Sequence, residues 1–311
     1  MVSEISVNTV VTQMDNIDDY NKWFGVETLN PLVSIIDFSE CRQPDIRKGL
    51  KRLGFYTVFL KDVDCGNLIY GRQTYDYQEG TLVFVAPGQV IGVVDDGKKV
   101  QPKGWALLFH PDLLRGTSLA KDIHTYSFFS YKSNEALHLS EREREVVLEC
   151  FQNIRHELEH DIDKHSRRLI TSNIELFLNY CVRFYDRQFI TRENVNRDLL
   201  AKLEEIINGY YLSGKASENG LLTVSYCADA LHLSPNYFGD LIKKETGLSP
   251  QAHIRNAMVE MAKDYLADPQ LTVNEISYKL GFQYPQHFTR TFKKETGKSP
   301  KEYRDCFYTR N

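Results

Sequence analysis

The sequence predicts an α+β multidomain chain: a β-rich N-terminal body, sandwich or barrel, then a helical hairpin, then an all-α C-terminal region. Three observations predict it. From Gly54 to Phe109, short runs rich in β-branched and aromatic residues alternate with turn signals. Between residues 141 and 187, apolar residues recur at helical spacing. The last third states nearly the same helical unit twice, about fifty residues apart.

The two copies are TVSYCADALHLSPNYFGDLIKKETGLSP (223–250) and TVNEISYKLGFQYPQHFTRTFKKETGKSP (272–300), the second with one residue inserted between leucine and proline. Each predicts a short helix, a tight turn and a second helix, the layout of a DNA-reading helix-turn-helix. Thr272 and Glu275 have capping-box spacing, and Thr223 caps the matching helix alone. Gly281 supplies the turn in the second copy, where the first has His232. Ser234-Pro235 and Tyr284-Pro285 open the second helices, because proline at the first helical position needs no amide partner. Phe238, Leu241 and Ile242 in one, and Phe288 with Phe292 in the other, form buried stripes. Ser249-Pro250 opens a connecting helix, with Ile254, Met258, Met261 and Tyr265 on one face. Its length of roughly 27 Å approaches the ~34 Å between major-groove faces one turn apart. Ser299-Pro300 begins a short final helix through Tyr303.

The second copy, from Gly281 to Arg304, is close to the signature of the AraC/XylS family of transcription regulators, and the chain resembles that family firmly over residues 195–306. The resemblance implies a double helix-turn-helix DNA-binding domain. It also implies a cupin-like β-barrel or jelly roll at the N-terminus, in which Glu79–Gln89 looks like the turn-and-strand motif.

Removing the apolar stripes leaves the DNA-facing residues. On the second unit these are Gln286, His287 and Arg290, onto which the family's base-reading positions map. Glutamine can bond adenine, and arginine can bond guanine in a bidentate way. On the first unit the matching positions are Asn236, Gly239 and Asp240, with Tyr237 beside them. Asp240 departs from the arginine the family often carries, so this unit is either a selective reader or a weak one. Lys243, Lys244, Lys293 and Lys294 are placed for phosphates. From Thr272 to Asn311 there are eight Lys/Arg against four Asp/Glu, about +4; from Thr223 to Asp268, four against six, about −2. The second unit should therefore supply more of the counterion-release affinity, although the whole chain carries −4.

The 311 residues are 42% hydrophobic and 26% charged, enough for two ordinary cores. The expected organisation is a regulatory body at 1–139, a helical dimerisation segment at 140–187, a linker at 188–198 and the DNA-binding domain at 199–311. No run of eighteen apolar residues and no secretory signal are evident, and the six cysteines are scattered, which fits a reducing cytoplasm. The β-rich half has no histidine before His110, so a metal-dependent cupin enzyme is not expected; neither cofactor, metal nor catalytic residue is assigned. Tyr56, Tyr70, Arg72, Tyr75, Tyr77 and Trp105 are candidates to line an effector pocket, aromatic faces stacking on a ligand and Arg72 pairing with an anion or hydroxyl. The alternative is that they are sandwich aromatics. His110-Pro111-Asp112 looks like a turn.

Ser140 caps the helix that follows, with Val147, Phe151, Ile154 and Leu158 on its stripe. Ile170, Ile174, Phe177, Cys181 and Phe184 form a heptad-like seam, able to pack within the hairpin or join two chains; the family resemblance implies a dimer. His156 and His160 have metal-compatible spacing, although helix-end histidines are usually only solvated.

The expected function is a cytoplasmic, sequence-specific transcription regulator. Its partners would be promoter DNA, RNA polymerase, an unknown small-molecule effector and a second copy of the chain. The alternatives are a constitutive regulator whose barrel only dimerises, or an enzyme with a DNA-binding tail.

Overall fold

The computed structural model describes residues 11–41, 50–61, 68–70, 73–75, 80–93, 103–131, 135–191 and 193–308. They fall into two compact units, Met1–Gln188 and Phe189–Asn311.

The first unit holds β1 (Val11–Met14), α1 (Ile17–Phe24), β2 (Val33–Asp37), β3 (Leu50–Leu53), β4 (Tyr56–Lys61), β5 (Leu68–Tyr70), β6 (Gln73–Tyr75), β7 (Thr81–Val85), β8 (Val90–Val93) and β9 (Gly104–Phe109). Two short helices, α2 (Pro111–Leu114) and α3 (Ser118–Asp122), lead to β10 (Leu137–His138), then α4 (Glu141–Glu159) and α5 (Ser166–Thr191), whose residues from Phe189 on belong to the second unit. The strands form two five-stranded sheets, ordered β1-β3-β8-β5-β6 and β10-β7-β4-β9-β2. Neighbours are antiparallel except β1 and β3. Pairings among the described residues do not close the sheets into a barrel.

Period-2 alternation explains the core. Phe59, Val83, Val85, Ala106 and Leu108 of one sheet meet Leu53 and Ile91 of the other, with Ile17, Tyr20 and Phe24 of α1 in the same cluster. The opposite face of the second sheet is buried too, through Val58, Leu60, Leu107 and Phe109. Both faces being covered, these strands read as continuous apolar runs such as TLVFV rather than alternating ones.

The Ser140–Glu143 capping box starts α4. Phe151 of α4 and Phe177 of α5 pack with ring centroids 5.2 Å apart. Arg187 clasps the pair from the other end, its Nε 2.6 Å from Glu143 and its Nη2 donating to the His138 carbonyl. The five residues of the expected dimer seam, Ile170, Ile174, Phe177, Cys181 and Phe184, are all buried inside the chain's own fold. Of the two readings of this stripe, packing within the chain is the one its burial fits, with Phe177 on Phe151 of the same hairpin. His110 is likewise no turn, because its ring nitrogen accepts from the Asp112 amide and caps α2. The segment 188–198 carries the end of α5 and the start of the next helix.

The second unit is helical: α6 (Glu193–Leu212), α7 (Lys215–Asn219), α8 (Val224–Ala230), α9 (Pro235–Thr246), α10 (Pro250–Ala267), α11 (Val273–Lys279), α12 (Pro285–Thr296) and α13 (Pro300–Tyr308). The connecting helix α10 packs against α9, α11 and α13. Its buried side runs Ile254, Met258, Val259, Ala262, Leu266, whereas Met261 and Tyr265 are only half-buried. A helix packed on several sides buries more than one stripe, so the 4-3-4 reading caught only part of it. The final helix is longer than expected, because Arg304 extends the packing by donating to the Leu266 carbonyl at the end of α10. Among the described residues no helix is long and apolar enough to cross a membrane.

Candidate nucleic-acid interface

Matched sequence chemistry produces matched geometry in the two copies. Thr223 caps α8 by accepting from the Tyr226 amide, and Thr272 with Glu275 forms the full capping box on α11. Helices α9 and α12 both end on a left-handed glycine, Gly247 and Gly297, whose amides donate 2.9 Å to the carbonyls of Lys243 and Lys293. Thr246 and Thr296 each donate back to the carbonyl four residues earlier, at 2.8 Å in both cases.

Helix α12 hangs on Phe288 and Phe292, which are fully buried and pack on each other 5.7 Å apart. Phe282 and Tyr303 close the same cluster. With that stripe inward, Gln286, His287 and Arg290 stand exposed together on the opposite side, and Lys293 and Lys294 follow on the last turns. Near the C-terminal end of α12, Glu295 pairs with Arg255 of α10, N to O 2.9 Å, tying this helix to the connector.

In the first copy the structure separates the candidates. Asn236 is exposed, Gly239 and Asp240 are half-exposed, and Lys243 and Lys244 are exposed. Tyr237 is only 4% exposed. It stands at i, i+4 with Leu241, so α9 buries a double stripe, 237/241 beside 238/242, and Tyr237 cannot face a groove. It is withdrawn from the base-reading set.

The effector candidates do not form one pocket in the described residues. Tyr56 stacks on Phe109, centroids 4.9 Å apart, with Phe129 edge-on, and burial pushes its hydroxyl pKa up. Trp105 stands on the same face of the sheet but pairs with Leu60 instead of Tyr56's partner Phe109, four residues along β9, under the Arg155 guanidinium. Both side chains lie on the sheet face turned away from the inter-sheet core. The side chains of Tyr70 and Tyr75, and residues Arg72 and Tyr77, lie outside the described residues. What sequence reasoning missed is a cleft of about 250 Å³ between the chain following α1, strand β2 and the end of α4. Its rim carries Glu27, Asp37, Glu40 and Glu159, and Arg155 bonds both Glu40 and Glu159 at 3.1 Å. These residues are scattered over three elements, so no sequence motif announced them. His156 and His160 pack ring to ring at 4.4 Å, His160 Nδ1 lying 2.8 Å from the His156 carbonyl. Among the described residues no group of His, Cys, Asp or Glu has metal-holding geometry.

Two helix-turn-helix units, the second presenting exposed Gln286, His287, Arg290, Lys293 and Lys294 on α12, have the layout of a DNA-binding domain. Residues 227–305 match the family described as "Helix-turn-helix domain". The chain is 40% identical over 88 residues to the HTH-type transcriptional regulator YobQ of Bacillus subtilis, covering 28% of this chain and 36% of that protein. It is 31% identical over 77 residues to the transcriptional activator RhaS of Escherichia coli, covering 25% and 28%. Among solved structures, the C-terminal domain of the two-component response regulator yesN from Fusobacterium nucleatum is 29% identical, covering 32% of this chain and 96% of that one at a TM-score of 0.29. The matches span 36%, 11% and 48% of the first three relatives' own lengths. Residues 227–305 are thus a helix-turn-helix domain similar to those of transcriptional regulators.

Proposed function

We propose that the chain is a cytoplasmic transcription regulator that binds promoter DNA through both helix-turn-helix units, with α12 as the principal reader. The observation that carries this is the exposed set Gln286, His287 and Arg290 at the start of α12, with Lys293 and Lys294 behind it. Arginine and glutamine near a helix N-terminus suit guanine and adenine edges in a major groove, and the lysines suit flanking phosphates. Asn236 and Asp240 on α9 form a second, less cationic reader, an aspartate accepting from a cytosine amino group. The 18-residue α10 gives the pair a fixed spacing.

In this proposal the two-sheet N-terminal unit is a cupin-like jelly roll that senses a small molecule, pairs with a second copy and, through the DNA-bound assembly, acts on RNA polymerase. The 250 Å³ cleft beside Arg155 supports a small ligand better than Tyr56 and Trp105 do. An effector acts only if it binds two arrangements of the chain with different affinity.

Selection from a random duplex library tests the DNA assignment. The expected outcome is a two-part motif with halves about 10–10.5 base pairs apart. Absence of any enriched sequence refutes it. Thermal-shift screening of sugars and small acids tests sensing, and no stabilisation by any of them, with full unaided DNA affinity, leaves a constitutive regulator.

A further inference from the structure

Ser234 and Tyr284 hold the same place in the two copies, each just before the proline that opens a reading helix. They do different things there. The Ser234 hydroxyl accepts from the Tyr237 amide at 3.2 Å and caps α9. Tyr284 gives α12 no side-chain cap, which weakens a helix start. Nor does its ring serve the core, since Tyr284 is 56% exposed. The ring leans on His287, centroids 5.6 Å apart at 56°, within the exposed first turn that also carries Gln286. A capping position has therefore been given up to hold a large aromatic out in solvent beside the polar readers.

We propose that Tyr284 is a specificity-determining residue that contacts the 5-methyl group of a thymine in the major groove, next to the bases addressed by Gln286 and His287. This rests on the DNA-reading assignment of α12 made above. The major-groove edges of the four base pairs offer one apolar feature, the thymine methyl, and apolar side chains read it. A phosphate needs only a hydroxyl or an amide, which a serine at this position supplies as well. The added value of tyrosine is its ring surface, and that surface gains affinity only against an apolar partner.

The test uses the full-length protein and its selected site, with each thymine replaced singly by deoxyuridine. This removes the methyl group and leaves the hydrogen-bonding edge intact. Wild type is expected to lose about threefold to tenfold in affinity at one position within the α12 half, the worth of one buried methyl or slightly more. Y284S, which reinstates the cap seen at Ser234 and so should fold at least as well, is expected to bind both forms equally. Y284F keeps the ring and should keep the preference. The inference is overturned by a uridine penalty of the same size in Y284S, by no penalty in wild type, or by a preference lost in Y284F, which would assign the effect to the hydroxyl. If wild type selects no sequence at all, the DNA-reading assignment itself fails, and that result is distinct from the other three.

Discussion

Gly281 sits directly against Gly220: a Cβ added to Gly281 would lie 2.6 Å from both the carbonyl carbon and the oxygen of Gly220. It would also lie 2.9 Å from the Ala216 carbonyl oxygen, so the turn of the second helix-turn-helix is pressed onto the end of α7. The matching residue of the first copy, His232, has φ 59 and stands exposed. Both turns need left-handed backbone, but only one also needs the absence of a side chain.

Opposite outcomes follow at the two turns. Gly281→Ala combines a backbone penalty at φ 88 with overpacking against main-chain atoms that cannot rotate away. It should cost about 2–4 kcal/mol. His232→Gly relieves a left-handed side chain in open space and should gain about 0.5–1 kcal/mol after glycine's larger entropy loss. Denaturant unfolding of both variants checks this. Equal effects at the two turns would mean the contact with Gly220 is not what holds the second one.

On the helical hairpin the informative substitution is at Phe177. Because its ring packs on Phe151 in the same chain, Phe177→Ala should cost about 3–5 kcal/mol and should show as a lowered unfolding midpoint at every protein concentration. If instead the protein stayed equally stable and merely dissociated in sizing experiments, the seam would be an interface after all.

Arg290 and the lysine pair should separate specificity from affinity. Arg290→Ala is expected to relax preference at one base position by about 1–3 kcal/mol. Replacing Lys293 and Lys294 by alanine should weaken all sequences alike and flatten the salt dependence by about two units at most. Competition binding at several salt concentrations distinguishes them, and an unchanged base preference in the Arg290 variant would remove it from the reading set.

The contrast between the two halves shows what a sequence can carry. In the C-terminal region, caps, prolines and glycines are local signals, and each fixes a boundary within a few residues: Pro235, Pro250, Pro285 and Pro300 all start helices. The exposed readers follow because two phenylalanines four apart leave one outward face. Tyr237 escaped this logic, as its burial depends on neighbouring helices and not on α9 alone. In the N-terminal region the strands β4, β5, β6, β7, β8 and β9 were legible from composition. The elements α1, β1, β2, β3 and β10 lie outside the β-rich stretch that begins at Gly54 and were not, and β10 is only two residues long. Which face of β9 Trp105 occupies is a matter of register, and one residue's shift reverses it. The cleft beside Arg155 is assembled from the chain after α1, strand β2, the following turn and α4, so no local pattern encodes it.

Acid should test the capping boxes of the C-terminal unit. The Thr272 amide and hydroxyl, donating to Glu275, hold its carboxyl below the usual range, and the Ser299 amide does the same for Glu302. A carboxylate whose pKa is lower in the folded than in the unfolded chain stabilises the fold when ionised. That contribution is complete above the unfolded value of about 4.3 and is lost as pH falls through the depressed folded value. Glutamine keeps an acceptor for the same amide but cannot titrate. Glu275→Gln and Glu302→Gln should therefore lose little at neutral pH, and the difference from wild type should shrink as the pH is lowered below about 4. Thermal melts of the full chain across that range measure the difference directly, so the other acidic groups cancel. A gap that stays constant with pH would show that the two carboxylates are not held ionised by their caps.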